Sequence, residues 1–321
     1  MALFFLSPLV GEYLFGNTPI TDVVSLLLFA PMYGGGALLI REIARRTGRG
    51  WPTMILFAAA YALLEEGPID MMLWNPHYGG IDIAAAYPGT SIPFLGTWGE
   101  LLQDTLAVHA IWSISVPIAI TETFSGDRTQ PWLGRKGLTT VAVMFVLTTS
   151  LLCAMQLAET KFVAAPAELA WCAVAIAGLI VLGFLAGRRI APRPNVDLPR
   201  PWMIGTGAFA VTTLYWLRDS LPVPRWAAVG AGCALFAMGA MLCAHWSRSC
   251  RWGAAHRLAL AAGTLCTYVW LGFPNARTLQ VPPATALAGN IVLGVGAIVL
   301  MIIAARRIRQ PAYGKDSPCP S

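Results

Sequence analysis

Charge is what this sequence has least of. Only 12% of its 321 residues are Asp, Glu, Lys or Arg, about half the share of a soluble domain. The phosphate-cradling GxxxxGK[ST] is missing, as is a GxGxxG opening a helix after a strand, so ATP coupling and dinucleotide binding have no sequence support. HExxH, tight His/Cys clusters and CxxC spacings are also missing, and with them the usual reasons to expect a metal. No aspartate-rich run of the kind that binds Mg-diphosphate occurs. The seven cysteines are an odd number, and Cys153, Cys172, Cys233, Cys243 and Cys266 fall in apolar runs, where a packing role is the default. No cofactor, metal, nucleotide or nucleic-acid partner is therefore expected. The net charge of +6 does not alter this, because the basic residues are spread over short loops.

What is abundant is apolar length. Hydrophobic residues make up 56% of the chain and the mean hydropathy is +0.62. Runs of about 20 apolar residues cross a bilayer core. Nine candidates stand at roughly 20–40, 51–67, 101–122, 137–157, 167–187, 202–221, 226–245, 257–273 and 284–304. With the first of them entering from outside, one set of loops holds 18 basic residues and the opposite set holds 4, namely Lys161, Arg218, Arg225 and Arg277. Cytoplasmic loops carry the Lys/Arg excess. The expected fold is an all-α polytopic bundle of about nine spans in the cell membrane, N-out and C-in, and a single domain over 1–321. Residues 305–321 form a cytoplasmic tail. The N-terminal segment lacks a basic n-region and a cleavage site, which predicts a retained interfacial stretch rather than a signal peptide. The long connection 68–100 is rich in Gly, Pro and aromatics. It is expected to fold back as an outer lid or re-entrant loop, with Trp74, Tyr78, Tyr87 and Trp98 at the interface.

Most acids read as ordinary. Glu42 is expected to pair with Arg45 or Arg46 at a helix end, and Glu122 to reach water near the cytoplasmic face. Others resist that reading. Glu65 and Glu66 lie on the order of 20 Å into the second span, within a core about 30 Å thick. Asp104 and His109 sit on the third span, and Asp219 near the outer end of the sixth. An unpaired charge at the bilayer centre costs roughly 2.5–3.5 kcal/mol even on the lenient insertion scale. Convergence in one outer pocket accounts for all of them. Trp74, Trp112 and Trp216, with Asp70 and Asn75, are the expected lining. Structural readings stand beside this: Asp219 pairs with Arg225 or its neighbour Arg218, Asp104 touches headgroups, and His109 donates between helices.

A carboxyl group in an apolar site tends to keep its proton and can act as a general acid. Aromatic faces stabilise cations. The same parts serve protonation of an alkene or epoxide, or proton-coupled transport.

Two resemblances bear on the choice. The segments YGGGALLIREIARRTGRGWP, YALLEEG and VHAIWSISVPIAITE resemble actinobacterial multi-pass proteins, among them membrane-bound terpene cyclases of indole and diketopiperazine terpenoid pathways. Fungal meroterpenoid cyclases are similar in using an early Glu and a late Asp, the order of Glu65 or Glu66 and Asp219, although they have seven spans. This implies metal-independent, acid-initiated cyclisation of a hydrophobic prenylated substrate. Glu66 or Glu65 would be the proton donor, with Asp104 or Asp219 tuning it or taking the last proton. YALLEEG also resembles the first motif of CAAX-processing intramembrane proteases, a Glu pair followed by Arg, but Asp70 holds the Arg position and no second intramembrane His follows His109. A glutamate-dependent protease, a proton-coupled transporter and a noncatalytic membrane partner are the alternatives.

Overall fold

The computed structural model describes residues 1–186 and 196–309. Arg188, Arg189 and Arg193 of the expected basic loop, and Lys315 and Asp316 of the tail, lie outside the described residues.

Backbone polar groups in lipid must be satisfied within the segment, which makes each apolar run a helix. Among the described residues the long helices are, in order, α1 (Ala2–Leu14), α2 (Val23–Arg46), α3 (51–69), α4 (Gly99–Phe124), α5 (Arg135–Thr160), α6 (Pro166–Ala186), α7 (Pro201–Leu217), α8 (Arg225–Trp246), α9 (Ala254–Asn275) and α10 (Pro283–Ile308). Prolines in the first turns of α3, α7 and α10 occupy positions whose N–H has no intrahelical partner anyway. The nine expected spans correspond to α2 through α10, so the all-α membrane bundle is the observed architecture. Among the described residues, α2, α4, α5, α6, α8 and α10 are each long and apolar enough to cross a membrane unaided. Helix α4 is the central strut: 72% of its apolar window is buried, against 6% for α5. It packs against α1, α3, α8, α9 and α10, while α3 also packs on α6, and α7 on α9.

The N-terminal segment differs from the interfacial stretch expected. Helix α1 is packed into the bundle, burying Leu3, Val10 and Leu14. It runs antiparallel to α2, with the backbone of Phe4 against Gly34 and the Tyr13 hydroxyl donating to the Asp22 carbonyl. Thirteen residues span about 20 Å. Helices α2 through α10 then follow the turn at 15–22. Gly34 has no Cβ, and that absence allows the two backbones to touch.

The connection after α3 folds as a cap. It holds a short helix, Ile83–Ala86, and an antiparallel pair, β1 (Ser91–Ile92) with β2 (Thr97–Trp98). Leu73, Trp74 and Ile83 are buried beneath it, so Trp74 is a packing residue and not an interface anchor. The indoles of Trp74 and Trp171 both donate to the Leu95 carbonyl, at 3.2 and 3.0 Å, pinning the cap to α6.

Candidate functional site: a histidine between two buried glutamates

Four helices change pitch where their polar residues lie. The π-helical segments are Leu9–Leu14 with Glu12, Ala30–Gly34 with Tyr33, Glu65–Ile69 with Glu65 and Glu66, and Val108–Ser115 with His109. Each has a proline within it or next to it: Pro8, Pro31, Pro68 and Pro117. A proline removes the donor to the carbonyl four residues back and shifts the hydrogen-bond ladder. For Pro117 that carbonyl belongs to Ser113, and the Ser7 hydroxyl of α1 donates to it instead. Such π turns concentrate at functional sites because they turn side chains away from the regular helical face.

The four turns bring one group of side chains together. His109 Nε2 lies 2.7 Å from Glu66 Oε1, in hydrogen-bond geometry. Its Nδ1 is 3.0 Å from Glu65 Oε2, a close ionic contact whose atoms are not aligned as a hydrogen bond. Glu65, Glu66 and His109 are 3%, 8% and 3% exposed, so all three are withdrawn from solvent and lipid. The Tyr33 ring stacks on the imidazole at 5.9 Å, and its hydroxyl donates to Glu12 Oε1 at 2.6 Å. Tyr61, its ring 6.3 Å from that of Tyr33, buries its hydroxyl against Glu65 without an aligned hydrogen bond. Asp70 follows the α3 π turn and accepts from the Met72 N–H at 3.1 Å and the Tyr78 hydroxyl at 2.9 Å, linking the group to the cap. Among the described residues, no Lys or Arg bonds to Glu12, Glu65 or Glu66. One imidazole is therefore the basic partner of a group that holds three buried carboxyl side chains. The arrangement is suited to holding and transferring hydrogen ions. No cluster of three or more His, Cys, Asp or Glu with metal-holding geometry occurs among the described residues.

The single pocket expected from sequence divides in two. Asp104 does not join the glutamates. Its Oδ1 accepts from Tyr215 at 2.5 Å and from Arg218 at 2.6 Å. Asp219 lies 3.4 Å from Arg218 and 3.7 Å from Arg225, which also bonds Glu100 at 3.1 Å. This is an ionic clasp between α4, α7 and α8, with Arg218 stacked 3.8 Å over the Tyr215 ring. Two arginines serve its three acids, so Asp104 and Asp219 each have a cation partner away from the glutamates. Trp112 and Trp216 make their contacts elsewhere than Glu65 and Glu66. Trp112 stacks on Tyr268 at 4.7 Å and donates to the Thr264 carbonyl, and Trp216 packs beside it. Asn75 shapes the cap turn by accepting from the His77 N–H at 3.0 Å.

Glu42 does pair with Arg46, at 3.5 Å, as expected, but neither it nor Glu122 is a surface group. Glu42 is wholly buried and bonds Arg41 at 3.1 Å and the backbone N–H groups of Trp132 and Leu133. Glu122 receives Arg41 Nε at 3.0 Å and a two-pronged Arg45 contact at 2.7 and 2.9 Å. Arg41 also lies 3.3 Å over the Trp132 ring. Neither acid reaches water, because the loop after α4 closes over both.

Sequence reasoning passed over Glu12, Tyr33 and Tyr61. For Tyr33 the available signal was Pro31 two residues earlier in an apolar run; Glu12 stands one turn after Pro8, and Tyr61 carried no such signal.

No curated protein and no solved structure matches the chain. A family profile does match, over residues 1–313, and the chain belongs to the family it describes, an uncharacterized membrane protein family.

Proposed function

We propose that the protein is a membrane-embedded acid–base catalyst in which the Glu65–His109–Glu66 group protonates a lipid-soluble, prenylated substrate and starts its cyclisation. One observation carries the reading: an imidazole held between two buried carboxyl groups, with tyrosine rings on its flank. In this scheme Glu66 gives its proton to an alkene or epoxide of the prenyl chain. The carbocation closes a ring against the faces of Tyr33 and Tyr61. Loss of a proton to the carboxylate left behind restores the acid, with His109 relaying between Glu66 and Glu65. The sum is an isomerisation, needing no oxidant and no nucleotide. Asp104 and Asp219 drop out of the scheme because Arg218 holds both.

A second reading rests on the four interrupted helices. Broken helices meeting near the bilayer midplane are the usual setting of transporter sites, and the same acids would then carry H⁺ beside a cargo.

Membranes containing the full chain, supplied with a farnesyl-bearing substrate without metal or ATP, separate these readings. Cyclised product that disappears in Glu66→Gln supports the first. Uptake of unchanged substrate that collapses with the proton gradient supports the second. Cleavage of a prenylated peptide would instead point to a protease. Conversion that persists in both Glu65→Gln and Glu66→Gln overturns the catalytic assignment.

A further inference from the structure

A cleft of about 580 Å³ runs between α7, α9 and α10. Its walls are apolar, with Leu258, Ala262 and Val269 on α9 facing Ile298 and Met301 on α10, and no acid lines it. Along α9 it reaches from Ala255 to Val269, about 21 Å at a rise of about 1.5 Å per residue. One leaflet supplies about half of a core roughly 30 Å thick, so the cleft traverses a leaflet and opens at its headgroup level. At that end stand Arg309 and Trp202, with Arg306 exposed one turn earlier on α10. The loop-charge count makes this the cytoplasmic end.

We propose that the cleft binds an acyl chain of an anionic phospholipid, whose phosphate is held by Arg309. The apolar walls fix the chain class, and charge complementarity fixes the headgroup class. Arginine forms two-pronged bonds to phosphate, and basic pockets between helices on the cytoplasmic side take acidic headgroups. A zwitterionic lipid would bring its own cation toward Arg309 and Arg306. The assignment is independent of the chemistry proposed for Glu65, His109 and Glu66, since no residue is shared.

The test uses the full chain purified in mild detergent from a bilayer with equal phosphatidylglycerol and phosphatidylcholine, with retained lipid counted by mass spectrometry. The expected result is enrichment of phosphatidylglycerol. Arg309→Ala lowers that enrichment about fivefold, the weight of one basic residue at an anionic surface. Ala262→Trp fills the cleft and removes it. Arg309 is exposed, so its variant keeps the test usable if the tryptophan disturbs packing. Equal retention of the two lipids by the unaltered protein, or undiminished enrichment in Arg309→Ala, overturns the proposal.

Discussion

Carboxyl groups inside a bilayer need a partner, and the partner found decides what each can do. Glu122 has two arginines and Asp104 has one with a tyrosine, so both are held in clasps. Glu65 and Glu66 share one imidazole as their basic partner among the described residues, with the Tyr61 hydroxyl beside Glu65. Glu66→Gln keeps the shape and removes the acid. It is expected to lower turnover by about 10²–10⁴-fold, the usual weight of a general acid, while the thermal midpoint in detergent moves little. Tyr33→Phe keeps the ring on His109 and deletes the bond to Glu12. An ordinary hydrogen bond is worth about 1 kcal/mol, so turnover should fall roughly fivefold. Product formation by both variants, read beside their melting curves, checks these values. A Tyr33→Phe protein as inactive as Glu66→Gln would mean that Glu12 takes part in the proton transfer itself.

At the scale of helices, prolines and glycines do what composition does not reveal. Pro8, Pro31, Pro68 and Pro117 each sit at a π turn, and the four turns face one another. The positions of the apolar helices were legible, because apolar length sets where a helix crosses. The π turns were not, because a proline in a span is equally compatible with a simple kink. Gly34 and Gly230 make the same point. Both lie in small-residue stretches, GGGA (34–37) and GAGCALFAMGA (230–240). Yet a Cβ on Gly34 would strike the Phe4 backbone, whereas one on Gly230 would meet nothing within 4 Å. Gly34→Ala is therefore expected to cost about 1–3 kcal/mol through overpacking. Gly230→Ala should be neutral or slightly stabilising, since Ala is the better helix former. Thermal unfolding of both variants in one detergent checks the contrast, and equal midpoints would remove α1 from the packed bundle.

At the scale of the whole molecule, two ionic clasps stand apart from the Glu65–His109–Glu66 group. One joins α2, α4 and the loop after α4 through Arg41, Arg45, Glu42 and Glu122. The other joins α4, α7 and α8 through Asp104, Arg218, Asp219 and Arg225. Removing one partner of a buried pair strands the other charge, at a cost of about 3–5 kcal/mol. Arg41→Ala and Arg218→Ala are each expected to lower the thermal midpoint markedly, and Glu66→Gln is not. Melting curves for the three variants, measured together, test whether the networks divide into structural and chemical as their partners imply.

The sequence by itself determined a helical membrane protein, where its apolar helices lie, the uneven charge of its loops, and the anomaly of Glu65, Glu66 and His109 within apolar runs. Each follows from local quantities: hydropathy over about 20 residues, charge in a loop, and the cost of a polar group in lipid. Tertiary structure alone decided which acid meets which base. Asp104 and His109 share one helix five residues apart and still belong to different networks, because α7 brings Arg218 to the first and α3 brings two glutamates to the second. Partners on distant helices are chosen by packing geometry, and hydropathy carries no record of it.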